Sequence, residues 1–152
     1  VLDIELKREQ LIARVPLFGA LDKQRLRDIA RLLRPRLALP GERIIARGAR
    51  GESMYFIASG AVEVQIAPTP VRLGSGDFFG EIALVMHRPR NADVVALGYC
   101  HLLVLRQRDS DRLLAGNPDL RARIDTVARE RLAAAPLAGN AAQRAGDSAI
   151  RA

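Results

Sequence analysis

The chain has 152 residues, 49% hydrophobic and 27% charged, which is enough for one domain with a continuous core and too little for two of ordinary size. No apolar run approaches the roughly 20 residues a membrane-spanning helix needs, nothing after Val1 reads as a signal peptide, and the single cysteine, Cys100, excludes an internal disulfide and a multi-thiolate metal site. The net charge of +7 invites a nucleic-acid reading, but the arginines are spread from Arg8 and Arg14 to Arg129 and Arg131 with acids interleaved, and four Phe and two Tyr offer few rings for base stacking. A solvated basic surface is expected, with no direct nucleic-acid partner.

Apolar positions Leu6, Ile12 and Val15 among charges predict a modest amphipathic helix over residues 3–15, an N-terminal helix or linker that Pro16 and Gly19 interrupt. Asp22 is a good N-cap for a second helix, in which Leu26, Ile29, Ala30 and Leu33 share one face and which must stop by Pro35. From Arg36 the period changes to two. The runs RLAL, RIIAR, MYFIA and AVEVQI are separated by Pro40-Gly41, Gly48, Gly51 and Ser59-Gly60, another run ends at Leu73, and strands about Asp93–Leu97 and Cys100–Leu105 follow. Many short antiparallel strands with glycine punctuation indicate a jelly roll or related barrel rather than a parallel sheet.

Helix then returns, as a short amphipathic turn over Asp109–Leu114 and a final helix announced by Asn117-Pro118-Asp119: an N-cap, a proline at the first helical position and an acid in the first turn. Leu120, Ile124, Val127 and Ala128 form its apolar stripe, and it should fade after Leu132 into a disordered tail over residues 133–152. The expected class is α+β: an antiparallel jelly-roll barrel over residues 16–132, flanked by N-terminal helices and two C-terminal helices.

The stretch FFGEIALVMHRPRNA, Phe78 to Ala92, breaks the strand pattern. Gly80 followed by Glu81-Ile82-Ala83-Leu84 predicts one or two helical turns whose unpaired N–H groups form an anion site, and glycine lets a ligand approach the backbone closely. Glu81 either serves the helix dipole alone or accepts hydrogen bonds from a sugar hydroxyl. Arg90 is either a solvated loop residue or a paired donor to two phosphate oxygens. Gly74-Ser75-Gly76 does not continue into a dinucleotide fingerprint, since the third glycine would fall at Phe79. His87 and His101 lack the spacing of a metal site, and Ser75 lacks a hydrolase context, so neither a metal nor catalysis is expected.

The run PGERIIARGARGESMYFIASGAVEV, followed by LGSGDFFGEIAL and RPRNA, resembles the cyclic-nucleotide-binding domain family shared by protein kinase A regulatory subunits, cyclic-nucleotide-gated channels and catabolite-activator-type transcription factors. The resemblance extends from Val15 to Leu132. Glycines 41, 48, 51 and 60 match it, as does the cassette of Gly80, Glu81, Ala83, Leu84, Pro89, Arg90 and Ala92. It implies a cAMP or cGMP ligand and no other cofactor. Arg90 would bind the cyclic phosphate, Glu81 the ribose 2'-hydroxyl, and the N–H groups near Gly80, Ile82 and Ala83 the phosphate and sugar. Asn91 and Val64 are counted with the ligand-binding residues. Asn91 replaces the usual Ala, Ser or Thr and Asp93 a common Thr, with Asp93 expected to face water. Arg131 continues the stripe of the last helix, where the family caps the purine. Its guanidinium is expected either to do so or to reach water over its own stem.

The short Ala67-Pro68-Thr69-Pro70 connection resembles the compact hairpin of bacterial channel domains, and the tail cannot fold into a helix-turn-helix. That resemblance implies the cytoplasmic domain of an inner-membrane, prokaryotic cyclic-nucleotide-gated potassium channel, with the pore domain of a tetrameric parent as partner. The alternative is the effector domain of a transcription regulator lacking its DNA-binding module.

Overall fold

A computed structural model describes residues 11–19, 21–66, 68–86 and 89–134. Residues 3–10 of the helix expected over residues 3–15, Ala67 of the hairpin, His87 and the tail from residue 135 lie outside them. Residues 11–13 are helical, and Pro16 opens a 3-10 turn, Pro16–Phe18, instead of ending order. Helix α1, Lys23–Leu32, starts as expected: the Asp22 carboxylate accepts from the Arg25 N–H at 2.8 Å.

The strands are β1 (Arg34–Ala38), β2 (Arg43–Ile45), β3 (Ser53–Ser59), β4 (Val62–Gln65), β5 (Val71–Leu73), β6 (Phe78–Phe79), β7 (Asp93–Ala96) and β8 (Cys100–Arg106). They form two antiparallel four-stranded sheets, ordered β1-β8-β3-β6 and β2-β7-β4-β5, the expected jelly-roll arrangement. Strand β1 begins two residues before the expected start and contains Pro35. It lies at a sheet edge, where a residue without an N–H is tolerated.

One strand shows why the MYFIA run is apolar without interruption. Met54, Phe56 and Ala58 face a core shared with the helices, whereas Tyr55 and Ile57 face a second core between the sheets. Period-two geometry sends alternate side chains to opposite faces, so a strand covered on both faces needs no polar residue. Phe56, fully buried, meets Phe18 at 4.9 Å and Phe78 at 5.9 Å between ring centroids. Strand β4 is covered on one face only: Val62 and Val64 are buried, Gln65 is exposed and Glu63 half-exposed.

The remaining helices are α2 (Glu81–Met86), α3 (Gln107–Ala115) and α4 (Pro118–Ala134), so the last helix continues two residues past the expected Leu132. Leu120, Ile124 and Ala128 are buried, as the stripe requires. Asn117 caps differently from expectation. Its main-chain carbonyl accepts from Arg121, but its side-chain amide reaches back to donate to the Leu113 carbonyl at 2.8 Å, closing the preceding helix end. Cys100 is buried, its thiol 3.2 Å from the Ala61 carbonyl.

Candidate functional site

The cassette lies between β6 and β7. Gly80 adopts φ +86°, in the left-handed region that side chains rarely enter. A Cβ there would stand 3.1 Å from both Arg90 Nη1 and the Ser53 carbonyl oxygen, so glycine is required for conformation and for space. The turn delivers Glu81 to the start of α2 and lets Arg90 fold back beneath it.

Arg90 is 6% exposed. Its Nη1 donates to the Gly80 carbonyl at 2.9 Å and its Nη2 to the Ser53 carbonyl at 2.6 Å. Burial pushes its pKa down, opposed by Tyr55, Glu81 and Glu52, but a guanidinium stays charged at any physiological pH. Two neutral carbonyls fix the plane of the side chain without neutralising it. A guanidinium carries five N–H donors, so donors remain for an anion.

The loop between β2 and β3 forms the back of this site. Gly48 N–H donates to the Arg90 carbonyl at 2.7 Å, and Arg90 N–H returns a bond to the Ala49 carbonyl at 2.9 Å. At Gly51 a Cβ would collide with the Ala83 methyl and lie 3.3 Å from Arg90 Cζ. This close approach explains the glycine. A groove of about 900 Å³ runs along this flank, touching Gly51, Ala83 and Pro89.

Glu81 is fully buried and is met from 50 residues away by Arg131. Arg131 Nη1 donates to both carboxylate oxygens, at 2.8 and 2.9 Å, and its guanidinium lies 5.2 Å from the Phe78 ring centroid. A buried carboxylate costs several kcal/mol unless paired, and Arg131 supplies that pairing. The apolar stripe of α4 carries Arg131 to this point, and its side chain is only 11% exposed, so the guanidinium does not reach freely into water. The sequence singled out both residues but not their contact.

Ile82 and Ala83 are buried at the start of α2, and Asn91 is half-buried beside Arg90. Val64 faces the core between the sheets. Asp93, expected to face water, is engaged: its Oδ1 accepts from the Arg47 N–H at 2.7 Å, with Arg43 Nε 4.0 Å from Oδ2. The Gly74–Asp77 loop is a self-closed turn, with Gly74 N–H donating to the Asp77 carboxylate at 2.9 Å. His101 Nδ1 lies 3.1 Å from Ser59 Oγ.

The model of the cyclic nucleotide-binding domain family matches residues 35–117, which hold the whole cassette and all of both sheets but Arg34. The chain belongs to this family. A cyclic nucleotide-gated potassium channel of Rhizobium etli is 41% identical over 127 residues, covering 84% of this chain and 36% of that protein. One from Mesorhizobium japonicum is 40% identical over 126 residues, covering 83% and 35%. The chain thus spans about a third of the length of these two channels. Among solved structures, the catabolite activator protein of Thermus thermophilus has TM-score 0.67 and 28% identity, covering 77% of this chain and 58% of that one. A protein kinase A regulatory domain bound to Sp-2Cl-cAMPS has TM-score 0.69 over 80% and 84%, at 24% identity, a likeness of fold. The buried Arg90 and Glu81 lie within the matched residues.

Proposed function

We propose that this chain binds cAMP and is the cytoplasmic sensing domain of a prokaryotic cyclic-nucleotide-gated potassium channel, acting on the pore of a tetrameric parent in the inner membrane. The observation that carries the binding reading is Arg90: a buried guanidinium whose hydrogen bonds, among the described residues, go to uncharged carbonyls. Such a charge is preorganised for an anion, and the remaining edge of the guanidinium takes two phosphate oxygens in one plane. In this reading the N–H groups near Gly80, Ile82 and Ala83 bind the phosphate and sugar, and Glu81 accepts from the ribose hydroxyl. The channel assignment rests on the rhizobial relatives, and no helix among the described residues is long and apolar enough to cross a membrane. The likeness to the Thermus activator keeps the effector domain of a transcription regulator as the second reading.

Binding and output meet at Glu81. Its carboxylate already receives Arg131 from α4, so a ribose hydroxyl that donates to Glu81 alters the partner of the last helix. A ligand with different affinity for the two positions of α4 shifts their populations, and that difference is what can move a gate.

Calorimetry with cAMP tests the reading. Arg90→Ala should weaken binding by at least about 2 kcal/mol, roughly thirtyfold, through loss of a charge-assisted paired contact. Without a Thr at position 91 to favour guanine, cAMP should be modestly preferred to cGMP. Equal affinities of wild type and Arg90→Ala, or no binding by the wild type, overturn the proposal.

A further inference from the structure

We propose that Asp93 is a positioning residue for the anion site, holding the β2–β3 loop against Arg90; the effect on nucleotide affinity rests on the binding reading above. Regular pairing of β2 with β7 ends early. Arg43 is opposite Val95 and Ile45 opposite Val94, a register shift that marks an irregularity. Beyond it the chain leaves the ladder, and the next anchor is a side chain: Asp93 Oδ1 accepts the Arg47 N–H at 2.7 Å across 46 residues. A carboxylate accepting a backbone N–H is a charge-assisted bond, stronger than the ladder bond it replaces.

The bond is placed where a small displacement matters. Arg47 is followed by Gly48 and Ala49, whose main-chain groups exchange the reciprocal bonds with Arg90 at 2.7 and 2.9 Å. Two residues later Gly51 lies so close to Ala83 and to the Arg90 guanidinium that no Cβ fits. The loop is therefore clamped at three successive residues, 47, 48 and 49, to a segment that ends at Asp93. The guanidinium plane is set from one side by Gly80 and Ser53, and from the other by this loop. Loss of the Asp93 bond frees the start of the clamp and lets Gly48 and Ala49 withdraw. Arg90 then keeps its charge but loses part of its fixed geometry.

The test uses the whole chain with Asp93→Ala and Asp93→Asn. Asn retains an acceptor oxygen for the Arg47 N–H but not the charge, so it should recover most of what Asp93→Ala loses. In Asp93→Ala without ligand, amide exchange at Gly48 and Arg90 should speed up about tenfold, the scale of one charge-assisted hydrogen bond, while the Arg72 amide on β5, two strands from Asp93 in the same sheet, should not change. With cAMP, Asp93→Ala should lose about tenfold in affinity, and the same change in an Arg90→Ala background should lose less than about threefold, because the effect runs through Arg90. Unchanged exchange at Gly48 and Arg90, a uniform rise that includes Arg72, or failure of Asn to rescue would overturn the assignment. If the wild type binds no cAMP, the binding reading fails by itself, and the exchange measurements still decide the role of Asp93.

Discussion

The Arg131–Glu81 pair permits a quantitative prediction. In Arg131→Ala a fully buried carboxylate loses the partner that contacts both its oxygens, from a side chain itself 11% exposed. Truncating one member of a buried ion pair costs about 3–5 kcal/mol, since the other charge stays buried with less compensation. The guanidinium's place over Phe78 adds about 0.5–1 kcal/mol. Relief comes from position: Arg131 is three residues from the end of α4 at Ala134, so the final turn can open and admit water to Glu81. The expected net loss is therefore about 3 kcal/mol, the lower end of the range, or roughly a 10 °C fall in Tm for a domain of this size. Urea unfolding of the ligand-free protein measures it, with Arg129→Ala, an exposed neighbour, expected within about 0.5 kcal/mol of wild type. Glu81→Gln combined with Arg131→Ala should cost less than the two single losses together by more than about 1 kcal/mol. If the same guanidinium also caps the purine, Arg131→Ala weakens cAMP by about 1–2 kcal/mol and reduces ligand-induced amide protection over residues 121–132. A stability loss below about 1 kcal/mol, or an equal loss in Arg129→Ala, refutes the buried-pair reasoning.

Two further substitutions probe the surroundings. Gly51→Ala drives a methyl into Ala83 and against Arg90 Cζ, so it should lower stability by about 1–3 kcal/mol and weaken cAMP binding; Ala83→Gly in the same chain should restore part of the stability in a thermal melt. The Glu42 carboxyl is held below its ordinary value of 4.5, first by the Leu39 N–H and then by Arg36. A depressed folded pKa gives stabilisation that is complete above the unfolded value and lost as pH falls through the folded one. Glu42→Gln should flatten that acid limb, and an NMR titration placing Glu42 at or above 4.5 would contradict it.

Much of the architecture was legible in the chain because it follows from local periodicity. Period two with glycine punctuation marked the strands, the 3.6 period of Leu120, Ile124 and Ala128 marked the last helix, and Asp22 marked the start of α1 with the side-chain acceptor a cap requires. The candidate cassette was marked in a different way: Gly80, Glu81 and Arg90 are close together in one segment that resembles the family motif, while their spacing alone left the readings of Glu81 and Arg90 open. What periodicity could not supply were contacts between distant segments. That Arg131 meets Glu81, that Asp93 holds Arg47, and that Gly51 abuts Ala83 depend on how the sheets and helices pack, and a residue's face says nothing of what lies opposite. Asn117 shows the same division at short range. Its residue type favours a cap, but an amide can donate as well as accept, and the tertiary arrangement turned it to the Leu113 carbonyl. The sequence by itself thus determined most of the elements and named the candidate groups of the site. The packing decided which buried charges neutralise one another, because burial makes an unpaired charge too costly and leaves only the partners that the fold brings within reach.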